Sequence, residues 1–171
     1  MDRHLFSRVN LPRTATHFPD GMAKDLVAEC RHYEESIRKA GGIDLQLLGI
    51  GRDGHIGFNE PTSSLSSRTR IKTLTEQTIR DNSPHFGPGE KVPFHVLTMG
   101  IGTILEARAA LLLAFGESKA DAVAQMVEGP LTALVPASAL QLHERSVVVL
   151  DEAAASKLAR RDYYRWVFDH K

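Results

Sequence analysis

The apolar residues near the start of the chain recur at the spacing of one helix face. Within 20–42, Leu26, Cys30, Tyr33 and Ile37 follow one another at steps of three and four residues. Two consecutive glycines then interrupt the pattern, as glycines often do at the ends of helices. The sequence therefore predicts an amphipathic helix within 20–42.

Four short apolar runs further along the chain have the length and the bounds of β-strands. Their apolar residues are nearly continuous instead of alternating with polar ones, which is typical of strands that are buried in a parallel sheet. The four runs lie at 43–48, 94–100, 111–115 and 146–150.

Helical patterns separate most of these strands. Ser118 is predicted to cap a helix that ends at the Gly-Pro pair of 129–130. A short helix is predicted over 136–142 and a last one over 153–168. Strands that alternate with helices predict an α/β fold, with a Rossmann-like, mostly parallel sheet and helices on both faces.

Two further segments complete this prediction. Thr103 and Glu106 have the spacing of a capping box, which predicts a short helical turn there. The segment 61–93 is rich in Ser, Thr, Pro and charged residues and has no sustained period, so we predict a long loop with short elements. Loops of that length usually carry function.

The composition narrows the class of protein. The chain has 171 residues, of which 42% are hydrophobic and 25% are charged, so we expect a single globular domain over 1–171. Lys plus Arg and Asp plus Glu each number 21, which gives a formal net charge of zero with neutral histidines. No global positive field therefore draws the chain to nucleic acid.

The sequence also indicates a compartment. Cys30 is the single cysteine, so no disulfide forms within the chain and a reducing environment is favoured. The first residues lack the apolar core of a secretory signal, and no stretch approaches the roughly 18 apolar residues of a membrane span. We expect a cytoplasmic protein that has neither nucleic acid nor a membrane as its partner.

A glycine-rich turn after the first predicted strand carries the most concentrated chemistry, with the sequence LGIGRDGHIGFNEP over 48–61. Open α/β sheets bind ligands at this end of their strands. His55 lies two residues after Asp53 and five before Glu60, and a carboxylate beside a histidine fixes its tautomer for proton transfer. On these residues alone, acid–base catalysis and an ordinary hydrogen-bonded turn both fit.

Gly49, Gly51 and Gly54 also match the G-x-G-x-x-G spacing of dinucleotide-binding turns. That pattern requires a long helix directly after the turn, and Gly57 and Pro61 prevent one here. The acidic residue expected about 20 positions later is missing as well. The sequence therefore argues against a nicotinamide site.

The turn resembles the signature of the glucosamine-6-phosphate deaminases, which are also called isomerases. The related 6-phosphogluconolactonases resemble it only as far as His55 and lack the FNEP of 58–61. The resemblance covers nearly the whole chain. It continues over SRTRIKTLT at 67–75, LTMGIGT at 97–103, GESKA at 116–120 and LQLH at 140–143.

This resemblance implies a reaction and its acid–base groups. The family converts glucosamine 6-phosphate and water to fructose 6-phosphate and ammonia, and it needs no metal or organic cofactor. The resemblance implies that His55 is the acid–base group that opens the sugar ring. It implies in the same way that Asp53 and Glu60 orient and tune that histidine.

The resemblance also implies contacts with the substrate. Lys119 matches a lysine that contacts the substrate phosphate, and the amides at a helix start favour an anion independently of any family. Gly51 and Gly54 are candidate substrate-binding positions, because glycines let the backbone come close to a ligand.

A regulatory site is implied for a further set of residues. Regulated members of the family bind N-acetylglucosamine 6-phosphate between subunits, and Ser63, Ser64, Arg70 and Lys72 match the residues of that site. Arg68 alternates with Arg70 and Lys72, so an extended segment would place all three cations on one face. We therefore expect an allosteric site and a homo-oligomer.

The sequence departs from the family's pattern in two places. The family's first strands, its phosphate loop and the aspartate that removes the C2 proton have no counterpart within 1–21, which predicts an N-terminally truncated domain. Pro84 also stands where the family has an arginine that clamps the phosphate. A proline side chain donates no hydrogen bond, so this contact is lost.

These departures leave two alternatives open. The first is a truncated, catalytically impaired domain that binds a sugar phosphate or a partner subunit, with an exposed apolar strand edge that favours association. The second is a 6-phosphogluconolactonase-like hydrolase that uses His55 and needs no base at C2. The FNEP of 58–61 argues against this second alternative.

Overall fold

The computed structural model describes residues 2, 4–87 and 89–170, and strands alternate with helices within them. The strands are β1 (Gln46–Gly49), β2 (Arg70–Thr73), β3 (His95–Thr98), β4 (Ala110–Ala114) and β5 (Ser146–Leu150). The helices are α1 (Leu26–Lys39), α2 (Glu76–Asn82), α3 (Ile101–Leu105), α4 (Ala120–Glu128) and α5 (Arg161–Asp169). Short 3₁₀ turns lie at Phe6–Arg8, Arg13–Ala15, Ser83–His85, Glu117–Lys119 and Pro136–Leu142.

Three strands form a parallel sheet in the order β1-β4-β5. Leu48, Leu112 and Val148 are register partners in neighbouring strands, so their side chains lie on the same face. That face packs on the hydrophobic core, to which α4 contributes Val123 and Met126. Burying one such side chain stabilises the fold by about 1.5–3 kcal/mol. The prediction of an α/β fold with a mostly parallel sheet is confirmed.

The opposite face of this sheet is apolar and largely exposed. Leu47, Leu111 and Val147 are register partners there. Leu47 and Val147 are each 58% exposed, and Val149 is 43% exposed. The structure thus differs from the expectation of helices on both faces, because the described residues bury only one of them.

The apolar run at 94–100 does not join the parallel sheet. β3 pairs antiparallel with β2, with Arg70 opposite Thr98 and Thr73 opposite His95. β2 and α2 lie inside 61–93, the segment that we predicted as a long loop with short elements. They have only four and seven residues, so neither shows a sustained apolar period.

The first helix begins after a capping aspartate, and the last helix is shorter than predicted. Asp25 caps α1, because its Oδ1 accepts hydrogen bonds from the amides of Val27 at 3.0 Å and Ala28 at 2.9 Å. α5 begins at Arg161, and 153–160 form turns instead of its first part. Among the described residues, no helix has the length and apolar character needed to cross a membrane.

Two predicted helix caps are wrong. Ser118 lies inside a 3₁₀ turn, and Lys119 is the residue that precedes α4, with no side-chain cap. Thr103 lies inside α3, where Gly100 holds the cap position. The Thr103 hydroxyl instead donates a hydrogen bond to Glu34 at 2.7 Å. Ser118 does not cap α4 because a 3₁₀ turn precedes that helix. Thr103 does not cap α3 because its hydroxyl is used in the contact with Glu34.

Candidate active site

The glycine-rich turn leaves the carboxyl end of β1, as the sequence predicts. The Gly51 amide donates to the His55 carbonyl at 2.8 Å, and the Gly54 amide donates to the Gly51 carbonyl at 3.1 Å. Gly54 has a φ of +83°, and a Cβ there would lie 2.6 Å from Val135 Cγ1. Backbone conformation and packing therefore both require glycine at 54.

Gly51 lies directly against the imidazole of His55. A Cβ built at 51 would lie 2.2 Å from Nδ1 of His55 and 2.3 Å from its Cε1. Any side chain at this position would displace the ring. The absence of a side chain at Gly51 thus fixes where the histidine lies.

Two carboxylates approach the same nitrogen of His55. Nδ1 lies 2.7 Å from Asp53 Oδ1 and 3.5 Å from Glu60 Oε2. The His55 amide also donates to Asp53 Oδ1 at 3.2 Å. An ionised Asp53 accepts a hydrogen bond from Nδ1–H of His55. Nε2 is then the ring nitrogen that is available for proton transfer.

The carboxyl group of Asp53 is held in its ionised form. Burial acts to raise its pKa, but the hydrogen bond and the charge of His55 outweigh burial and lower the pKa from 3.8 to about 2. Asp53 therefore remains a hydrogen-bond acceptor for His55 at any pH near neutrality.

Glu60 is the most deeply buried member of this group, with 2% of its surface exposed. Its Oε1 accepts a hydrogen bond from the Thr75 amide at 3.2 Å. Its Oε2 accepts none from the residues that the structure describes. Oε2 lies 3.5 Å from Nδ1 of His55, so Glu60 is the second carboxyl group beside that nitrogen.

The same three side chains could in principle hold a metal ion. One donor atom from each of Asp53, His55 and Glu60 lies within 4.8 Å of the others. However, the 2.7 Å between Nδ1 and Oδ1 is a hydrogen-bond distance, so a metal would have to displace the proton that they share. The arrangement suits proton transfer better than metal binding.

A hydrogen-bonded side chain joins this turn to the antiparallel pair of β2 and β3. Asn59 is fully buried, and its Nδ2 donates to the carbonyls of Ile56 and Met99, each at 2.9 Å. Its Oδ1 accepts a hydrogen bond from Arg70 Nη1 at 2.8 Å. The position of the turn is thus coupled to that of β2.

His55 opens onto a cleft of about 380 Å³. Lys119 lines the same cleft from the loop after β4. That loop is held by Asp151 at the end of β5, because the Gly116 amide donates to both of its carboxylate oxygens, at 3.1 and 3.0 Å. The lining residues are Gly49, Ile50, Gly51, Arg52, His55, Gly57, Phe58, Thr78, Asp81, Asn82 and Lys119.

The structure therefore brings most of the predicted catalytic and substrate-binding residues together. His55, Gly51 and Lys119 line the cleft, and Asp53 and Glu60 contact the histidine. Gly54 is buried and does not line the cleft, so its role in the described structure is to shape the turn.

The predicted regulatory residues are only partly brought together. Ser63 is buried, and its hydroxyl donates to the Glu60 carbonyl at 2.6 Å, so it supports the turn. Ser64 is exposed on the same loop. Arg70 and Lys72 are half-buried at alternate positions of β2.

Arg68 does not join Arg70 and Lys72 in a cationic strip. Its guanidinium binds Glu34 and Glu106 beside a separate cavity of about 550 Å³. Glu34 also accepts hydrogen bonds from other neighbours there, so this larger cavity offers no free acid–base pair.

Sequence reasoning missed several residues of the cleft. Arg52 lies within the predicted turn but was not assigned a role, and α2 brings Thr78 and Asp81 to the site from the segment predicted as a loop. Pro84 follows α2 in a 3₁₀ turn. Asp151 could have been predicted near the site, because it is a polar residue directly after a strand of the parallel sheet.

Comparison with known proteins identifies one family for this chain. A model of the family described as glucosamine-6-phosphate isomerases/6-phosphogluconolactonase matches residues 1–149. A glucosamine-6-phosphate deaminase of Hahella chejuensis is 60% identical over 167 residues, which is 98% of this chain and 64% of the relative. One of Streptomyces coelicolor is 60% identical over 170 residues, 99% of this chain and 65% of the relative. The chain thus spans slightly less than two thirds of these relatives.

Solved structures agree with this match. The structure of a monomeric glucosamine-6-phosphate deaminase is 51% identical, with a TM-score of 0.81 over 85% of this chain and 61% of the other. A 6-phosphogluconolactonase of Thermotoga maritima is 22% identical with a TM-score of 0.64, over 87% of this chain and 62% of the other. The second likeness extends only to the fold.

Proposed function

Because the chain belongs to the family of glucosamine-6-phosphate isomerases and 6-phosphogluconolactonases, we propose that it carries the acid–base site of a glucosamine-6-phosphate deaminase. The reaction converts glucosamine 6-phosphate and water to fructose 6-phosphate and ammonia. The observation that supports it most is the histidine with two carboxylates at one ring nitrogen, which opens onto a cleft shared with a lysine.

We assign the opening of the sugar ring to His55. Ring opening moves a proton from the C1 hydroxyl to the ring oxygen, and Nε2 of a histidine whose Nδ1 is held by Asp53 can relay it. Asp53 fixes the tautomer, and buried Glu60 balances the charge of the protonated ring. Gly51 leaves room for the ring, and Gly54 shapes the turn that carries it.

We assign the recognition of the phosphate to Lys119. Its side chain lines the cleft, and its backbone is set by the hydrogen bonds of Gly116 to Asp151. A lysine ammonium is a compact donor that suits a phosphate dianion.

We further propose that N-acetylglucosamine 6-phosphate regulates the enzyme at Arg70 and Lys72, together with the exposed Ser64. The hydrogen bond from Arg70 to Asn59 supports this, because a ligand that pulled Arg70 away would remove one of the three hydrogen bonds of the side chain that anchors the catalytic turn. Ser63 is left out of this site, since its hydroxyl is buried against Glu60.

We propose that 1–171 acts as a single domain and that copies of it associate, since one face of its parallel sheet is apolar and exposed. The buried free thiol of Cys30 suits the reducing cytoplasm.

The function is tested by turnover of glucosamine 6-phosphate by the purified chain, with ammonia and fructose 6-phosphate both measured. We expect His55→Ala to lower the rate by roughly two to four orders of magnitude, the usual contribution of an acid–base group. His95→Ala, which removes an exposed histidine on β3, is the matched control and retains the wild-type rate.

Equal rates for the wild-type protein and His55→Ala would refute the catalytic role. Hydrolysis of 6-phosphogluconolactone in place of amine release would assign the chain to the other branch of its family. Tight binding of glucosamine 6-phosphate without products would leave the binding domain as the correct alternative.

A further inference from the structure

A second cationic side chain lines the cleft, and the proposed function gives it no role. Arg52 lies between Gly51 and Asp53 in the turn, and it lines the same cleft as His55 and Lys119. The charged side chains of the lining, apart from the histidine, are Arg52, Lys119 and Asp81. The cleft therefore carries two cations and one carboxylate, a balance that favours an anion.

The present partner of Arg52 holds it only loosely. Its Nη1 lies 3.6 Å from Asp81 Oδ1, which is an ion-pair distance but too long for a hydrogen bond. The same oxygen already accepts a hydrogen bond from Gln77 Nε2 at 2.7 Å. The Arg52 side chain is 53% exposed, and an exposed ion pair of this kind contributes little to stability. Its donors are thus available to a ligand.

The other arginines near the site are already engaged. Arg70 donates to Asn59 and does not line the cleft. Arg80 lies on α2, where it donates to Glu76 and Gln77, and it is not part of the lining either. Of the arginines in the described structure, Arg52 alone lines the cleft of His55.

Resting on the proposed function, we propose that Arg52 binds the phosphate group of the sugar phosphate together with Lys119. A guanidinium offers two parallel donors that match two phosphate oxygens, whereas the lysine adds a single point charge. Arg52 would exchange its loose contact with Asp81 for the dianion, so it determines the preference for phosphorylated sugars.

Asp81 has an opposing effect in this arrangement. Its carboxylate lies next to the guanidinium and repels a dianion that approaches it. Asp81→Asn keeps an oxygen to accept the hydrogen bond from Gln77 and removes the negative charge. We expect this variant to bind sugar phosphates more tightly than the wild-type protein.

The test measures the Kd of glucosamine 6-phosphate and of fructose 6-phosphate by titration calorimetry. We expect Arg52→Ala to raise both values by roughly ten- to a hundredfold, as expected for the loss of a charge-assisted contact. Arg80→Ala removes the same charge outside the cleft and keeps the wild-type Kd. Inorganic phosphate should compete with the sugar phosphate in the wild-type protein and compete less well in Arg52→Ala.

The outcomes separate this inference from the function on which it rests. If the wild-type protein binds the sugar phosphates and Arg52→Ala binds them equally well, the role of Arg52 is refuted and the proposed function stands. If Arg80→Ala loses the affinity instead, the phosphate contact belongs to α2. If the wild-type protein binds neither sugar phosphate, both proposals fail. Tighter binding of the sugar phosphates by Asp81→Asn would support the inference, because a folding defect lowers affinity and does not raise it.

Discussion

The hydrogen bond between Asp53 and His55 links the stability of the turn to pH. The pKa of Asp53 falls from 3.8 to about 2 in the folded protein, so its ionised form stabilises the fold above about pH 4. That contribution is lost as the pH falls from about 4 towards 2, because protonation then weakens the contact with His55. We expect Asp53→Asn to lose less free energy of unfolding across this interval than the wild-type protein.

Urea unfolding at several pH values between 5 and 2 measures this difference. Asp121→Asn is the matched control, since Asp121 is exposed and contacts only the exposed Lys157 among the described ion pairs. It should follow the pH dependence of the wild-type protein. An Asp53→Asn variant with the same pH dependence as the wild-type protein would contradict the coupling.

Gly51 gives a second prediction at a single position. A methyl group at 51 would overlap the His55 ring, so Gly51→Ala should displace the imidazole and reduce turnover by about a hundredfold. The protein should still fold, because the ring can move towards the cleft. Gly21→Ala, which meets nothing within 4 Å, should leave both turnover and the His55 ring resonances unchanged. Unshifted ring resonances in Gly51→Ala would disprove the steric argument.

At the scale of elements, one glutamate of α1 joins this helix to two other parts of the fold. Glu34 accepts hydrogen bonds from the amide and hydroxyl of Thr69, at 2.8 and 2.5 Å, and from the Thr103 hydroxyl at 2.7 Å. Burial acts to raise its pKa, but these hydrogen bonds and the charge of Arg68 lower it. A single carboxylate thus holds α1, α3 and the start of β2 together.

Glu34→Ala should therefore lower the free energy of unfolding by about 2–4 kcal/mol, because it leaves several donors without a partner. Glu35→Ala on the same helix removes a half-buried carboxylate that pairs with the exposed Arg38 and Lys39, and it should change stability by less than about 0.5 kcal/mol. Chemical denaturation of both variants gives the comparison. Equal losses would show that Glu34 does not join these elements.

The sequence predicts elements well where their pattern is local. The apolar spacing of α1 and the continuous runs of β4 and β5 identified those elements. Short elements were predicted within 61–93, but β2 and α2 could not be located there, because each is short and β2 pairs with a partner distant in sequence, β3. Ser118 had the chemistry of a cap, but the 3₁₀ turn that contains it makes no use of its hydroxyl.

The candidate site also has a part that the sequence predicts and a part that it does not. Asp53, His55 and Glu60 lie within eight residues of one turn, so their meeting could be predicted from spacing and resemblance. The rest of the cleft could not be predicted from spacing. Lys119, in the loop after β4, was expected there only from the resemblance, and Asp81, which reaches the cleft from α2, was not expected. Both contacts depend on how separate elements pack.

At the scale of the whole molecule, the parallel sheet has one covered face and one exposed face. Parallel sheets are normally covered on both sides, and β1 also pairs with only one strand among the described residues. On the exposed face, Leu111 of β4 lies between Leu47 of β1 and Val147 of β5, so water contacts an apolar surface that crosses all three strands. Such a surface favours burial against another protein surface.

In a purified sample, the partner available to this surface is a second copy of the chain. We expect the wild-type protein to associate in sedimentation experiments as its concentration rises, because joining two such faces removes apolar area from water. Val147→Lys places a charge on the exposed face of β5, an edge strand, and should shift the protein to the monomer. Met22→Lys adds the same charge at a residue that is 90% exposed and should associate like the wild-type protein. A wild-type protein that stays monomeric at every concentration, or a Val147→Lys variant that associates as strongly, would show that the exposed face does not join two copies.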